Sequence, residues 1–497
     1  MLTRRISVVL LALVAWGAFT ASASAGTLPP AGIYQVWGKD SAATAAYVRG
    51  GQITLDWATV EPRRRTFNWS SLDSELKYYA SIGKVATVQV NSTKAKPAWV
   101  WNVVANCGLV HGQPAPQYWD PVYETVQTEL VSALAAHLKA SPYLPQVALV
   151  RAAPNAIGTE LTDMPAGYTC KATPSGHRVS TLWSKTVANQ YYYDVMNLYR
   201  LKLLPEVQVA LRTQVWTQWP GHCPTTWLGT GGAWMMGTAS DVDPNPVRDA
   251  FDVYAYNNVR LGTTNAYWEP ISYAGKKNLV SWNWWRILLE LDKGVRSIAV
   301  YGNVLAQGQT NPEFRAAFDF ADRYAGHQWD PAGSPGAWVA LRQGSGRMAG
   351  NFTWFMTQLD PNTTSTPLDS NAGASMIGPA SQRYGRYARR IAGGTAQGTM
   401  SFALDPAFRS GIVAEQTTLH VTYLDTGTGS FQVAWGTGPD QSVTVTKTNT
   451  GTWQTADIPV PGLEYTGALG DGADLAISEL GGDATNFAMV ELTVDDR

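Results

Sequence analysis

From Gly32 to about Gly326, short apolar runs alternate with longer stretches in which apolar residues return every three or four positions. The runs 32–38, 50–57, 84–91, 146–152, 207–215, 251–257 and 296–303 read as strands. Segments 70–83, 121–141, 180–202 and 283–295 read as helices, the first opened by Ser70 and closed by Gly83. A further strand is expected between 265 and 275, either as NAYWEPIS or as PISYAG. Apolar strands separated by helices imply a parallel sheet covered on both faces. Roughly eight such units in about 300 residues predict a (β/α)8 TIM barrel. A doubly wound open sheet is the alternative, but no glycine-rich dinucleotide fingerprint follows the first strand.

After about Asp330 the period changes from that of helices to that of half-buried strands. TTLHVTYLD, SFQVAWG, QSVTVTKT, ADLAISEL and FAMVELTVDD alternate apolar with polar residues between Gly, Asp and Asn turns. This pattern predicts an antiparallel β-sandwich. Residues 331 to about 400 read as a link that adds a strand or two, with a turn or hinge at 393–398. The expected organisation is a leader over 1–25, a barrel over 26–330 and a sandwich over 331–497.

The leader follows from Arg4 and Arg5, the apolar run ISVVLLALVAWGAF, and an A-x-A site ending at Ala25. A membrane anchor is the rival reading, but the run is short and small residues follow it. No later stretch is long and apolar enough to span a bilayer. The expectation is a secreted protein with no membrane attachment after cleavage. A net charge of −1 with only 15% charged residues argues against a nucleic-acid partner. The 21 Trp and 22 Tyr point instead to carbohydrate, whose C–H faces lie flat on aromatic rings. Of Cys107, Cys170 and Cys223, one pair is expected to form in an oxidising compartment, read here as Cys170 with Cys223. Neither the cysteines nor the scattered histidines have metal-ligand spacing, so no catalytic metal and no cofactor is expected.

The stretch LDWATVEPRRRTFNWSSLD, Leu55 to Asp73, places Asp56 and Trp57 at a strand end, then Glu61-Pro62, then Trp69, Leu72 and Asp73 at a helix start. After the next strand comes STKAKPAWVW, residues 92–101. Together these segments resemble the clan A glycoside hydrolases, most closely the catalytic domain of family 42 type β-galactosidases. The resemblance covers roughly residues 32–326. It implies a sugar-cleaving barrel whose active site lies at the C-terminal ends of the strands. Glu61 reads as a loop-fixing residue rather than a catalytic one.

Glycoside hydrolysis uses two carboxyl groups, one protonating the leaving oxygen and one attacking the anomeric carbon or activating water. The resemblance implies that the acid follows strand four and the nucleophile ends strand seven. Strand four, QVALVRA, runs into APNAIGTELTD, so Glu160 is the acid/base candidate, with Asp163 in reserve and Asn155 a substrate contact. The family signature joins Asn and Glu directly, whereas Asn155 precedes Glu160 by five residues. Glu269 is the nucleophile candidate if its strand is NAYWEPIS; if the strand is PISYAG, Ala274 occupies the expected position. With both carboxylates the outcome is retention, at a carboxyl separation of about 5–5.5 Å. Trp57, Trp99, Arg212, Trp216, Tyr254, Asn257 and Trp282 are expected to bind substrate. The missing glutamate leaves a second reading, a non-catalytic carbohydrate-binding protein on a decayed hydrolase barrel. The C-terminal half resembles the sandwich modules of secreted hydrolases, which bind sugar or brace the barrel. Asp425, Asp471 and Asp474 are candidate calcium ligands there.

Overall fold

A computed structural model describes residues 30–36, 38–92, 95–110, 113–152, 156–157, 161–162, 173–174, 185–212, 234–237, 250–253, 279–292, 295–328, 330–342, 350–369, 376–391, 398–438, 440–495 and 497. Its strands are β1 (Gly32–Val36), β2 (Val48–Asp56), β3 (Val85–Asn91), β4 (Val147–Arg151), β5 (Val209–Arg212), β6 (Trp234–Gly237), β7 (Ala250–Val253) and β8 (Val295–Tyr301). They pair in a closed ring, each parallel to both neighbours, with β8 returning to β1. The first half is therefore a TIM-barrel-like domain.

One sequence expectation is corrected by this ring. The run at 251–257 supplies the seventh strand rather than the sixth, because Trp234–Gly237 takes the sixth place. Four residues, Trp-Met-Met-Gly, are too short a run to stand out by period. The ring closes without the strand expected around Glu269, which itself lies outside the described residues.

The helices used below are α1 (Asp40–Thr44), α2 (Ser70–Ser81), α3 (Pro121–Ala140), α4 (Lys185–Leu203), α5 (Leu279–Asp292), α6 (Gly302–Thr310) and α7 (Pro312–Tyr324). The start of α3 has Pro121 at its first position, and the Asp120 carboxylate accepts the Val122 amide at 3.1 Å. Leu72, Leu76 and Tyr79 of α2 pack on Ile53 and Leu55 of β2 and on Ala86, Val88 and Val90 of β3. The two strands approach so closely that a Cβ on Gly50 would stand 2.1 Å from the Val85 carbonyl oxygen. Among the described residues no helix is long and apolar enough to cross a membrane.

The second half is an antiparallel sheet domain. One sheet contains β9 (Gly336–Ala340), β10 (Phe352–Trp354), β12 (Ser365–Asp369), β13 (Tyr387–Ile391), β15 (Gln416–Asp425), β18 (Thr452–Pro461) and β20 (Asn486–Val494). The other contains β11 (Met356–Gln358), β14 (Thr399–Leu404), β16 (Gly429–Ala434), β17 (Ser442–Thr446) and β19 (Leu475–Gly482). Val339, Leu419, Val421 and Val490 from the first sheet share a core with Met400, Phe402, Phe431 and Val433 from the second.

The calcium expectation is corrected in this domain. Asp425 accepts from the amides of Thr448, Asn449 and Thr450 and from the hydroxyls of Thr448 and Thr450, all at 2.8–3.0 Å. Those bonds fill both oxygens and close the turn between β17 and β18. Asp474 is bound by the Leu404 amide and the Arg409 guanidinium, each at 2.9 Å. Burial works to raise the Asp425 pKa, but bonds from Thr450 and Thr448 outweigh it and hold the carboxyl well below its ordinary range. Its stabilising contribution is present above the unfolded-state value near 3.9 and lost as pH falls through the lower folded-state value. Asp425→Ala is expected to cost about 2–3 kcal/mol at pH 7, less as the pH drops below about 3. Chemical denaturation at the two pH values checks this.

The two halves are joined by an aromatic seam. From Ser281 to Leu291, α5 is buried at every position but Trp282, wedged between the ring and the sheet domain. Trp285 meets Tyr387 edge-on at 5.0 Å, and Trp284 meets Tyr384 at 5.6 Å. From α7, Phe320 and Tyr324 pack on Trp338 of β9 at 5.5 and 6.2 Å. Polar contacts flank the seam: the Tyr324 hydroxyl donates to Glu491 at 2.7 Å, and Arg383 pairs with Glu313 at 2.9 Å.

Candidate functional site

Alternation along β2 and β3 sends one set of side chains to the helices and the other toward the barrel axis. Ile53, Leu55, Ala86, Val88 and Val90 belong to the helix-facing core. Toward the C-terminal ends the opposite set is polar: Gln52, Thr54 and Asp56 on β2, and Thr87, Gln89 and Asn91 on β3. The register places them side by side, Gln52 with Thr87, Thr54 with Gln89, and Asp56 with Asn91. Within each row the amides bond onward, Gln52 to Thr54 at 3.1 Å and Gln89 to Asn91 at 3.4 Å. Thr54 and Asp56 are exposed and Asn91 is half-buried, so the rows open to solvent at the C-terminal mouth. Arg151 closes β4 on the same side, since Thr87 is in register with Leu149. Arg212 is the last residue of β5, in register with Met236.

The loop after β2 is built for rigidity. The Glu61 carboxylate is fully buried and accepts from Trp57 Nε1 and from the Arg65 amide, both at 2.7 Å. Burial raises its pKa, and those two bonds only partly offset it. Trp99 donates its indole N–H to the Glu61 carbonyl at 2.9 Å. Trp57 has no exposed surface and packs edge-on against Trp99 and Tyr123. It therefore offers no face to a sugar, which corrects the expectation that it binds substrate. Trp99 keeps part of its surface exposed. Trp69 stacks between Phe67 at 5.7 Å and His137 at 5.3 Å, and His137 bonds Asp73 at 2.7 Å. The closing Trp and Asp of the stretch thus tie α2 to α3 outside the barrel.

Trp282 lies in the first turn of α5, where the Arg386 guanidinium of the sheet domain covers its ring at 4.7 Å. This places it against the second domain. A short antiparallel ribbon, Ala156–Ile157 with Leu161–Thr162, follows β4. Asn155, Glu160, Asp163, Trp216, Tyr254, Asn257 and Glu269 lie outside the described residues. Cys107 is disulfide-bonded, which overturns the pairing of Cys170 with Cys223; its partner lies outside the described residues. Among the described residues no group of three or more His, Cys, Asp or Glu is placed to hold a metal ion.

The sequence reading passed over the polar rows and two groups beside them. Lys96, in the loop after β3, holds its ammonium over the faces of Tyr118 and Tyr123 at 5.3 and 5.7 Å. Burial pushes its pKa down to about 7. Glu124, in the first turn of α3, is pushed up to about 7 by burial and then by the nearby Asp194 and Asp120. A raised carboxyl pKa favours the folded state at low pH, and that advantage is lost as pH rises from the unfolded value near 4.3 through about 7. Glu124→Gln is expected to leave the melting temperature unchanged at pH 4. At pH 8 it is expected to raise stability by about 1–2 kcal/mol after screening at this half-exposed position. Thermal melts across that range check the sign.

No protein-family model and no curated protein sequence matches the chain. Solved structures similar to it include a β-galactosidase from Rahnella sp. R3, at 10% identity, 60% of this chain, 56% of that chain and a TM-score of 0.36. A GH42 β-galactosidase from G. stearothermophilus gives 10%, 58%, 56% and 0.35. A xylanase from Cellvibrio japonicus gives 12%, 56%, 87% and 0.31. The chain thus spans 56% of the length of each of these two β-galactosidases. All three scores are low, and the class of the molecule, a TIM-barrel-like domain joined to an antiparallel sheet domain, rests on its own strand pairings.

Proposed function

We propose that the chain is a secreted glycoside hydrolase that cleaves O-glycosidic bonds of an oligo- or polysaccharide at the C-terminal mouth of a (β/α)8 barrel. The observation that carries this reading is the pair of polar rows on β2 and β3. Amide and hydroxyl groups donate and accept at once, as sugar hydroxyls do. Glu160 serves as acid/base and Glu269 as nucleophile in a retaining mechanism. Asn155, Arg212, Trp99, Trp216, Tyr254 and Asn257 contact the sugar. The barrel extends over 26–330 and a β-sandwich over 331–497. The sandwich acts as a brace: among the described residues its aromatic side chains are buried or half-buried, leaving no stacking platform exposed.

A second reading is favoured by one observation. The seventh strand of the ring, Ala250–Val253, carries one carboxylate, Asp252, and no glutamate, and the sequence beyond it, Tyr-Ala-Tyr-Asn-Asn, carries neither. On that reading the barrel binds carbohydrate without cleaving it. Sugar release from a panel of polysaccharides and aryl glycosides separates the two. Release with retained anomeric configuration, followed by NMR, supports the hydrolase. Binding without release across the panel supports the second reading.

A further inference from the structure

We infer that two copies of this chain join edge to edge through β17, which pairs with itself across a two-fold axis at Thr444. The inference concerns the sheet domain and stands whether or not the barrel cleaves sugar. β17 (Ser442–Thr446) pairs with β16 on one side, and among the described residues no strand pairs with its other edge. The bonds flanking the strand fix which groups face that edge. Trp435 donates its amide to the Gln441 carbonyl, and Lys447 donates its amide to the Gly429 carbonyl. Backbone groups alternate along a strand, so Gln441, Val443, Val445 and Lys447 turn theirs toward β16. Ser442, Thr444 and Thr446 turn theirs outward, a row of amides and carbonyls ready to take another strand.

The strand that fits this edge best is β17 itself. Antiparallel pairing about Thr444 sets Ser442 opposite Thr446 and Val443 opposite Val445 of the second copy. The outward row then exchanges both bonds at each facing pair. Val443, 39% exposed, gains an apolar neighbour, and Val445 already packs on the core of the sandwich. On the outer face the row Thr399, Ser478, Gln432 and Thr444 crosses the sheet without a charge and runs on into the second copy. The same register sets Asp440 opposite Thr448 and Lys447 opposite Gln441, so like charges do not meet. The other outer strands of the two sheets are guarded. β18 contains Pro459 and Pro461, β12 contains Pro367, and β10 and β11 have three residues each. β17 has neither proline nor charge.

Sedimentation velocity of the full chain over a concentration series tests this. One strand from each copy makes a small interface, so the dimer is expected to fill in between about 10 and 500 μM. Thr444→Lys sets two ammonium groups against each other at the axis and is expected to weaken association by about tenfold or more, with the melting temperature held. Thr444→Glu is expected to do the same. An equimolar mixture of the two variants is expected to dimerise again, because the axis then joins opposite charges. Wild type that stays monomeric to about 500 μM would overturn the inference. So would a dimer that survives both substitutions, or a mixture that stays monomeric while each variant melts as wild type does. Should a charged variant not fold, Thr444→Pro takes its place. It removes only an outward amide and is expected to abolish the dimer, and a dimer that persists in it overturns the inference.

Discussion

Replacing Glu160 with glutamine is expected to lower glycoside hydrolysis by about 10²–10⁴-fold while sugar binding stays within a few-fold of wild type. Glutamine keeps the shape and hydrogen bonding of the side chain but has no proton to give the leaving oxygen. The loss should therefore be largest for natural glycosides, whose leaving alcohols need protonation. It should be smaller for aryl glycosides, whose leaving groups depart as stable phenolates. The alkaline limb of the pH–rate profile, set by the acid, should disappear in the variant. Equal losses on both substrate types, with the limb retained, would assign Glu160 a positioning role and move the acid elsewhere.

Trp338→Ala is expected to destabilise the whole chain by about 3–5 kcal/mol, the cost of deleting a fully buried large ring. Trp338 stacks face to face on Trp354 at 6.1 Å and meets Phe320 and Tyr324 of the barrel. Its strand neighbours Ala337 and Val339 point instead into the core between the sheets. One strand therefore serves two cores, and the cavity left by the ring opens at their junction. Calorimetry should show a single transition moved to lower temperature. Two separate transitions, with only the later one moved, would mean that the seam does not couple the halves.

Much of the barrel was legible because parallel strands buried on both faces leave apolar runs of strand length, as in Val147–Val150 of β4. Trp234–Gly237 was not legible, because four residues carry too little period to be told from a loop. The miscounted ring then misplaced strand seven and the search for its carboxylate. The polar rows were present in the letters as Gln52, Thr54, Asp56 and Thr87, Gln89, Asn91. They were masked because the intervening Ile53, Leu55, Val88 and Val90 made each strand read as apolar. The tryptophans misled for a different reason. Composition suggests sugar platforms, yet Trp57, Trp284, Trp285, Trp338 and Trp354 are buried in the core of the barrel and its seam. Whether a ring meets a sugar or another ring depends on the partner opposite, which no local pattern records.

The course of β20 has a bearing on the making of the protein. This strand, Asn486–Val494, pairs with β15 along its length, with β9 at Met489–Thr493 and with β13 at Asn486–Phe487. Its Glu491 accepts the hydroxyl of Tyr324 from the barrel. The ring likewise waits for β8 before β1 has a partner on that side. At about 5–20 residues per second, the first strand spends tens of seconds unsealed while the ribosome delivers the last. A message that ends before Asn486 yields neither a closed sheet nor a latched barrel. Premature termination thus leaves β9, β13 and β15 without the strand that joins them, and their unpaired edges become places where another chain can add a strand.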